Sequence, residues 1–330
     1  MKFFNKKILS LLLMFSVPFL FSGCKTQDKN LSSKKLSIVC TNFPEYDFVK
    51  HIVKDRANVT MLLKPGAESH SFEPSPKDII SVKKSDMFVY VGGDSDEWVK
   101  KVLSSMNKDK KHIFKLMDAV HLFEEEHVEG MEEEKEEETN SKNDKAKKSE
   151  QEEEPEMDEH VWTSPKNAIS IIKSMDKKLS SLDSKNKDFF HKNAASYVKE
   201  IKKLDSEIKN VIEHSKRKEI IVADRFPFLY FCREYGLKYY AAFPGCSKDT
   251  DASAKTIAFL VNKVKADKIP IIFHIELSNE KICDSICEVT HAKKRLLNAI
   301  HNVTKKEFDK NVTYVTLMEH NKEVLKEALN

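Results

Sequence analysis

The sequence predicts an α/β protein of two lobes, each a parallel sheet with flanking helices, joined by one long rigid helix. Three observations predict it. Short β-branched runs alternate with segments of helical period, the pattern of parallel βαβ units. The alternation occurs twice, in two similar halves. Between the halves lies a lysine-rich stretch whose apolar residues recur at helical spacing.

In the first half, Leu36–Cys40 is an alternating β-branched strand, Glu45–Lys54 a helix, and Val59–Leu63 a second strand ending at the turn signal Lys64-Pro65-Gly66. Ser75 caps a helix that opens with Pro76. Met87–Val91 is a third strand closed by Gly92 and Gly93, and Trp98–Met106 is helical. The second half repeats the scheme. Glu219–Val222 is a strand, Leu229–Tyr235 a helix stopped by Gly236, and Lys238–Ala242 a strand. Thr256–Ala266 is a helix, Pro270–Glu276 a strand and Asn279–Thr290 a helix. Val312–Leu317 reads as a last strand or the start of a helix, and Asn321–Leu329 closes the chain as a helix. In the middle, Ala168–Leu182 and Lys185–His214 are helical. Phe189, Ala194, Tyr197, Ile201, Leu204, Ile208 and Val211 form one stripe on the second of these. A helix of nearly 30 residues spans about 45 Å, long enough to run along both lobes.

Two segments lie outside this scheme. Lys2, Lys6 and Lys7 precede an apolar run from Ile8 to Phe21, which ends at Ser22-Gly23-Cys24. The run is short for a membrane span and has the flanks of an export signal. Two small residues before a cysteine resemble the lipobox at which bacterial lipoproteins are cleaved and acylated, with Phe21 where that pattern prefers leucine. Cys24 is therefore the expected lipidated residue, by a palmitate-type chain, anchoring an extracytoplasmic domain to the membrane surface. The second segment, Glu124–Asp158, is dominated by glutamate with some lysine and cannot bury enough apolar surface to fold. It is expected as a disordered loop of the first lobe. His121 and His127 stand at its start, so it can concentrate cations near a site. The expected organisation is a signal over residues 1–23, a tether over 24–35 and a first lobe over 36–184 carrying the acidic loop 124–158. A linking helix over 185–214 and a second lobe over 215–330 complete it.

The chain has 330 residues and a net charge of +3, which conceals that segregation of acids. No nucleic-acid partner is expected. Beyond Cys24 the cysteines are Cys40, Cys232, Cys246, Cys283 and Cys287, an odd number that argues against a complete disulfide framework. Cys283 and Cys287 share a helix face and read as small buried hydrophobes. No HExxH, GxSxG or P-loop motif occurs.

Of 12 histidines, two stand in equivalent settings. His70 lies in Lys64-Pro-Gly-Ala-Glu-Ser-His-Ser-Phe-Glu-Pro-Ser-Pro76, and His160 in Met157-Asp-Glu-His-Val-Trp-Thr-Ser-Pro165. Both precede a helix at the carboxyl edge of an expected parallel sheet, where α/β proteins place ligands. Imidazole suits zinc and its neighbours.

At these residues the chain resembles the metal-binding solute-binding lipoproteins of bacterial ABC transporters for zinc and manganese. The match rests on Pro65-Gly-Ala-Glu-Ser-His70 with Phe72-Glu-Pro-Ser-Pro76, and on Ser85–Tyr90 with Glu97 and Trp98. It continues in His160-Val-Trp162 with Pro165–Ala168, in Tyr235-Gly236-Leu237, and in Tyr314 with Met318 and Asn321. The resemblance implies two lobes with a metal between them, held by a histidine from each of two first-lobe loops, a histidine or glutamate from the second lobe's first loop, and an acid from its last. His70 and His160 fill the first two places. Counting back from Tyr235 places the third ligand at Arg225, which cannot bind a cation, so Asp224 beside it is the candidate. Counting back from Tyr314 lands on Asn302 or His301, and His301 is the better ligand. Glu276 is a reserve ligand or a partner to one. The expected metal set is thus His70, His160, Asp224 and His301, nitrogen-rich and suited to Zn2+, with Mn2+ the alternative.

The implied function is extracytoplasmic capture of zinc by a monomeric lipoprotein and its delivery to an ABC permease, without catalysis. A manganese-binding relative with an adhesin role is one alternative. A zinc hydrolase using Glu276 as base is another.

Overall fold

Residues 35–105, 113–132, 156–247 and 251–330 are described by a computed structural model of the chain. The expected signal over 1–23, Cys24 and the middle of the acidic block lie outside them. Among the described residues, no helix is long and apolar enough to cross a membrane.

The first sheet consists of β1 (Leu36–Cys40), β2 (Ala57–Met61), β3 (Met87–Tyr90) and β4 (Ile113–Lys115), all parallel, in the order β2-β1-β3-β4. The second contains β5 (Glu219–Arg225), β6 (Lys238–Phe243), β7 (Ile271–His274) and β8 (Lys293–Leu296), again parallel, in the order β6-β5-β7-β8. The two orders are the same, so the internal repeat legible in the sequence is a repeat of topology. In each sheet the order reverses beside the first strand, and the loops leaving the carboxyl ends there form a crevice.

The helices are α1 (Phe43–Val53), α2 (Pro76–Lys84), α3 (Glu97–Ser104), α4 (Pro165–Leu182), α5 (Lys187–Glu213), α6 (Leu229–Tyr235), α7 (Ala254–Ala266), α8 (Lys281–Thr290), α9 (Lys305–Asp309) and α10 (Tyr314–Leu329). Their starts follow local chemistry. Ser75 and Asp78 form a reciprocal capping box ahead of Pro76. Ser164 caps α4 before Pro165, and Thr304 and Thr313 make capping boxes for α9 and α10. Gly236, left-handed at φ 67°, ends α6.

One apolar core runs through both lobes. It joins Ile38, Phe48 and Met87 of the first sheet side to Val222, Phe273 and Leu325 of the second, through Phe190, Tyr197, Ile201, Leu204 and Ile208 of α5. The 27 residues of α5 extend about 40 Å. Its buried stripe differs slightly from the expected one: Phe190 and Ile212 are buried where Phe189 and Val211 were expected. Separate clusters pack α2 and α3 on the outer face of the first sheet, and α7 and α8 on that of the second. Val312–Leu317 resolves as the start of α10. Strands β4 and β8 had no expectation: the first is three residues long, and the second carries Lys293, Lys294 and Arg295, charges suited to an edge strand.

The acidic block departs from expectation at both ends, which are ordered. Glu124 and Met157 form an antiparallel bridge, and the Glu125 N–H donates to the carbonyl of Glu156 at 2.9 Å. These roots dock on the second lobe. Glu126 accepts from Tyr239 at 2.8 Å and pairs with Arg233, and the Glu132 carboxylate accepts from Ser253 N–H at 2.9 Å and Thr256 Oγ1 at 2.8 Å. Residues 133–155, where the expected disorder falls, lie outside the described residues.

Beneath the first sheet, Glu45 is fully buried, accepts from Thr41 Oγ1 at 2.5 Å, and has its second oxygen without a partner among the described residues. Burial is the main cause that pushes its pKa up to about 8. The carboxyl thus stays protonated in the fold while the unfolded chain ionises it above about 4.5. The unfolded state then binds fewer protons, so stability falls as pH rises from about 4.5 to about 8. Glu45→Gln is expected to flatten that slope, on the order of a few kcal/mol, in urea unfolding at pH 5 and pH 8. An unchanged slope in the variant contradicts this.

Candidate metal centre

Four carboxyl-edge segments converge in the crevice. The loop after β2 brings His70, the segment after β4 brings His160, the end of β5 brings Arg225, and the loop after β8 brings His301. One nitrogen from each of His70, His160 and His301 lies within 4.8 Å of the other two. The ring centroids are 4.9–5.7 Å apart: 5.7 Å for His70–His160, 5.0 Å for His70–His301 and 4.9 Å for His160–His301. Their side chains are 4 %, 0 % and 8 % exposed, so solvent does not satisfy these nitrogens.

Each imidazole turns Nδ1 toward an acceptor. His160 Nδ1 is 3.2 Å from Asp158 Oδ1, which also accepts from the His160 N–H at 2.8 Å. His301 Nδ1 is 3.4 Å from Glu276 Oε1. His70 Nδ1 is 3.0 Å from Ser95 Oγ, whose own hydroxyl proton goes to Glu159 Oε1. A serine hydroxyl has one proton, so toward His70 it accepts. An acceptor at Nδ1 favours the tautomer that carries the proton there and leaves the lone pair on Nε2, the arrangement in which partners of a metal ligand fix its tautomer. The Nε2 atoms of His160 and His301 are buried without a hydrogen-bond partner among the described residues. Three convergent imidazole lone pairs, two of them orphaned, suit zinc.

The electrostatics keep His301 neutral. Burial, then His160 and Arg225, hold its pKa well below the ordinary histidine value. Burial pulls His160 the same way, but Asp158 and Glu159 outweigh it and raise the pKa.

The frame around the rings is closely fitted. Trp162, fully buried, has its ring 5.5 Å from His160 and 5.4 Å from His301, and its Nε1 donates to the carbonyl of Ala299 at 2.8 Å. Tyr314 holds the Trp162 carbonyl at 2.9 Å, and Asn321 holds Asn298 through its N–H (2.8 Å) and its carbonyl (2.8 Å). These contacts explain Tyr314 and Asn321: they position the loop that carries His301. A Cβ on Gly245 would meet His160 Cε1 and the Phe226 carbonyl at 2.9 Å, so only glycine lets that ring sit there.

The expected set is partly corrected. His70, His160 and His301 come together; Asp224 does not join them. Its Oδ1 accepts from the Arg225 N–H at 2.9 Å and its carboxylate meets Ser278. Successive strand residues face opposite ways, and the one reaching the cleft is Arg225, whose Nη1 donates to Glu68 Oε1 at 3.0 Å. Asn302 is no rival to His301: its amide donates to the carbonyls of Lys64 (2.7 Å) and Ala67 (2.8 Å), tying the His70 loop to the second lobe. Glu276 is a partner, accepting from the Ala299 and His301 N–H groups at 2.7 and 2.8 Å. Sequence reasoning missed Ser95, Asp158 and Glu159. The acidic pair directly before His160 was the available signal for two of them.

Cys246 lies near this centre, with a ligand atom within 4.8 Å of one from Glu159 and one from His160, and likewise of Glu125 and Glu156. Burial, then Glu159, Glu125 and Asp158, raise its pKa well above the usual thiol range. It is a neutral thiol, a weak ligand beside three imidazoles.

Known proteins share this sequence and this fold. The chain is 33 % identical over 295 residues to the high-affinity zinc uptake system protein ZnuA of Bacillus subtilis, covering 89 % of this chain and 88 % of that protein. It is 30 % identical over 322 residues to the zinc-binding lipoprotein AdcA of Streptococcus pneumoniae, covering 98 % of this chain but 61 % of that longer protein. The crystal structure of the Zn(II)-bound ZnuA-like domain of that AdcA superposes with a TM-score of 0.72 at 29 % identity, covering 89 % of this chain and 99 % of the domain. The model of the family described as ZnuA, the periplasmic component A of the zinc-uptake complex, matches residues 38–328, and the chain belongs to that family.

Proposed function

We propose that this chain captures zinc on the Nε2 atoms of His70, His160 and His301 and hands it to an ABC permease. Membership of the zinc-uptake family supplies the class of activity. The observation that carries the ligand assignment is the convergence of three buried imidazoles, each with Nδ1 turned to an acceptor. A nitrogen-rich set favours zinc over manganese, which prefers oxygen ligands. The chain acts by binding and release, not catalysis. Glu276, the carboxylate a hydrolase would need as base, is occupied by two backbone N–H groups. The protein works as a monomer outside the cytoplasmic membrane, anchored through lipid on Cys24. The acidic segment over 133–155 gathers cations weakly near the crevice.

Native mass spectrometry of the mature protein tests the binding. One zinc per chain is expected, retained against equimolar manganese, and deletion of residues 133–155 is expected to remove only weaker extra cations. A protein that holds manganese in preference to zinc contradicts the assignment. For the anchor, Cys24→Ser is expected to move the protein from the membrane fraction to the soluble one. A wild-type protein that carries no lipid by mass contradicts it.

A further inference from the structure

Three neutral imidazoles give zinc three donors and no compensating charge, and a tetrahedral zinc takes a fourth ligand. Among the described residues the nearby carboxylates are engaged. Asp224 caps the Arg225 N–H, Glu276 holds two backbone N–H groups, and Glu159 holds the Ser95 hydroxyl and N–H. Glu68 accepts from Arg225 at 3.0 Å and from the Ser71 N–H at 2.9 Å, and stands outside the group of atoms within 4.8 Å of one another. Among the described residues this leaves the cleft of about 560 Å³ that opens on His70 and is lined by Glu68, Ser95, Trp98 and Arg225 as the side open to a fourth ligand.

Arg225 determines what fits there. It is 8 % exposed, and its Nε is buried without a partner among the described residues. Glu68 engages the guanidinium through Nη1 alone, so Nε, buried beside the zinc-binding rings, is left for a further negative group. A guanidinium presents a planar fork of N–H donors that matches a carboxylate. Resting on the three-histidine reading above, we propose that zinc is bound here together with a small carboxylate anion, one oxygen on the metal and the other held by Arg225. The two ligands are then coupled, each tightening the other.

Chelator competition for zinc at constant ionic strength, in sodium nitrate, chloride or acetate, tests this. In acetate at about ten times its own Kd, wild-type zinc affinity is expected to rise roughly tenfold over nitrate, with little rise in chloride. The visible spectrum of the cobalt-substituted protein is expected to shift with acetate. Arg225→Gln, and Arg225→Lys with its charge but no fork, are expected to lose the acetate response. Equal wild-type affinity in nitrate and acetate overturns the proposal, as does an equal gain from chloride. Loss of zinc binding in Glu68→Gln to the extent seen with a ligand histidine also overturns it, by making Glu68 the fourth ligand. Failure of the wild type to bind one zinc in any of these salts instead sinks the three-histidine reading.

Discussion

His301→Ala is expected to weaken zinc binding by at least about a hundredfold. Zinc held by four protein ligands is worth roughly 10–16 kcal/mol, so one imidazole is worth about 3 kcal/mol, or two decades of affinity. His160→Ala and His70→Ala are expected to match it, because the three nitrogens form one cluster with every pair within 4.8 Å. Glu276→Ala is expected to cost less, about 10- to 100-fold, because it frees the His301 ring without removing it. Asp224→Ala is expected to leave zinc affinity near the wild-type value, since that carboxylate faces Ser278 and its own backbone. Competition against a chelator ranks all five variants. An Asp224→Ala protein as weak as His301→Ala would return Asp224 to the coordination sphere.

Trp162→Ala is expected to destabilise the fold by about 3–5 kcal/mol, the usual cost of removing a fully buried aromatic side chain. The effect is larger than a cavity alone, because the indole also holds the Ala299 carbonyl of the His301 loop at 2.8 Å. Urea denaturation without metal reads the stability change. Zinc binds the folded state, so added zinc is expected to recover part of the loss. A variant within 1 kcal/mol of wild type contradicts the view that this tryptophan supports the centre.

Much of this was legible in the sequence for physical reasons. Strand and helix periods differ, and caps such as Ser75 with Pro76 and stops such as Gly236 are local chemistry, so most of the helices were readable residue by residue. His70 and His160 stood out because both precede helices at a sheet edge. The counting that located His301 also landed on Arg225, which does face the cleft. What failed was the step from there to Asp224: a neighbour on a strand has the right chemistry but the opposite direction. Strand β8 was hidden because Lys293 and Lys294 look like a surface loop until β7 pairs with them. The Ser95–Glu159 contact joins residues 64 apart, and no local pattern announces such a pair. The ends of the acidic block were misjudged for a related reason. Glu126 and Glu132 are polar, but Arg233, Tyr239, Ser253 and Thr256 wait for them on the other lobe.

The assignment of metal to three imidazoles is tested most directly by zinc X-ray absorption on the one-to-one complex of the mature protein. Three imidazole nitrogens and one oxygen, at about 2.0 Å, are predicted for His70, His160 and His301 with an added ligand. A sulfur shell near about 2.3 Å would place the metal on Cys246 with Glu159 and His160, and would contradict the account.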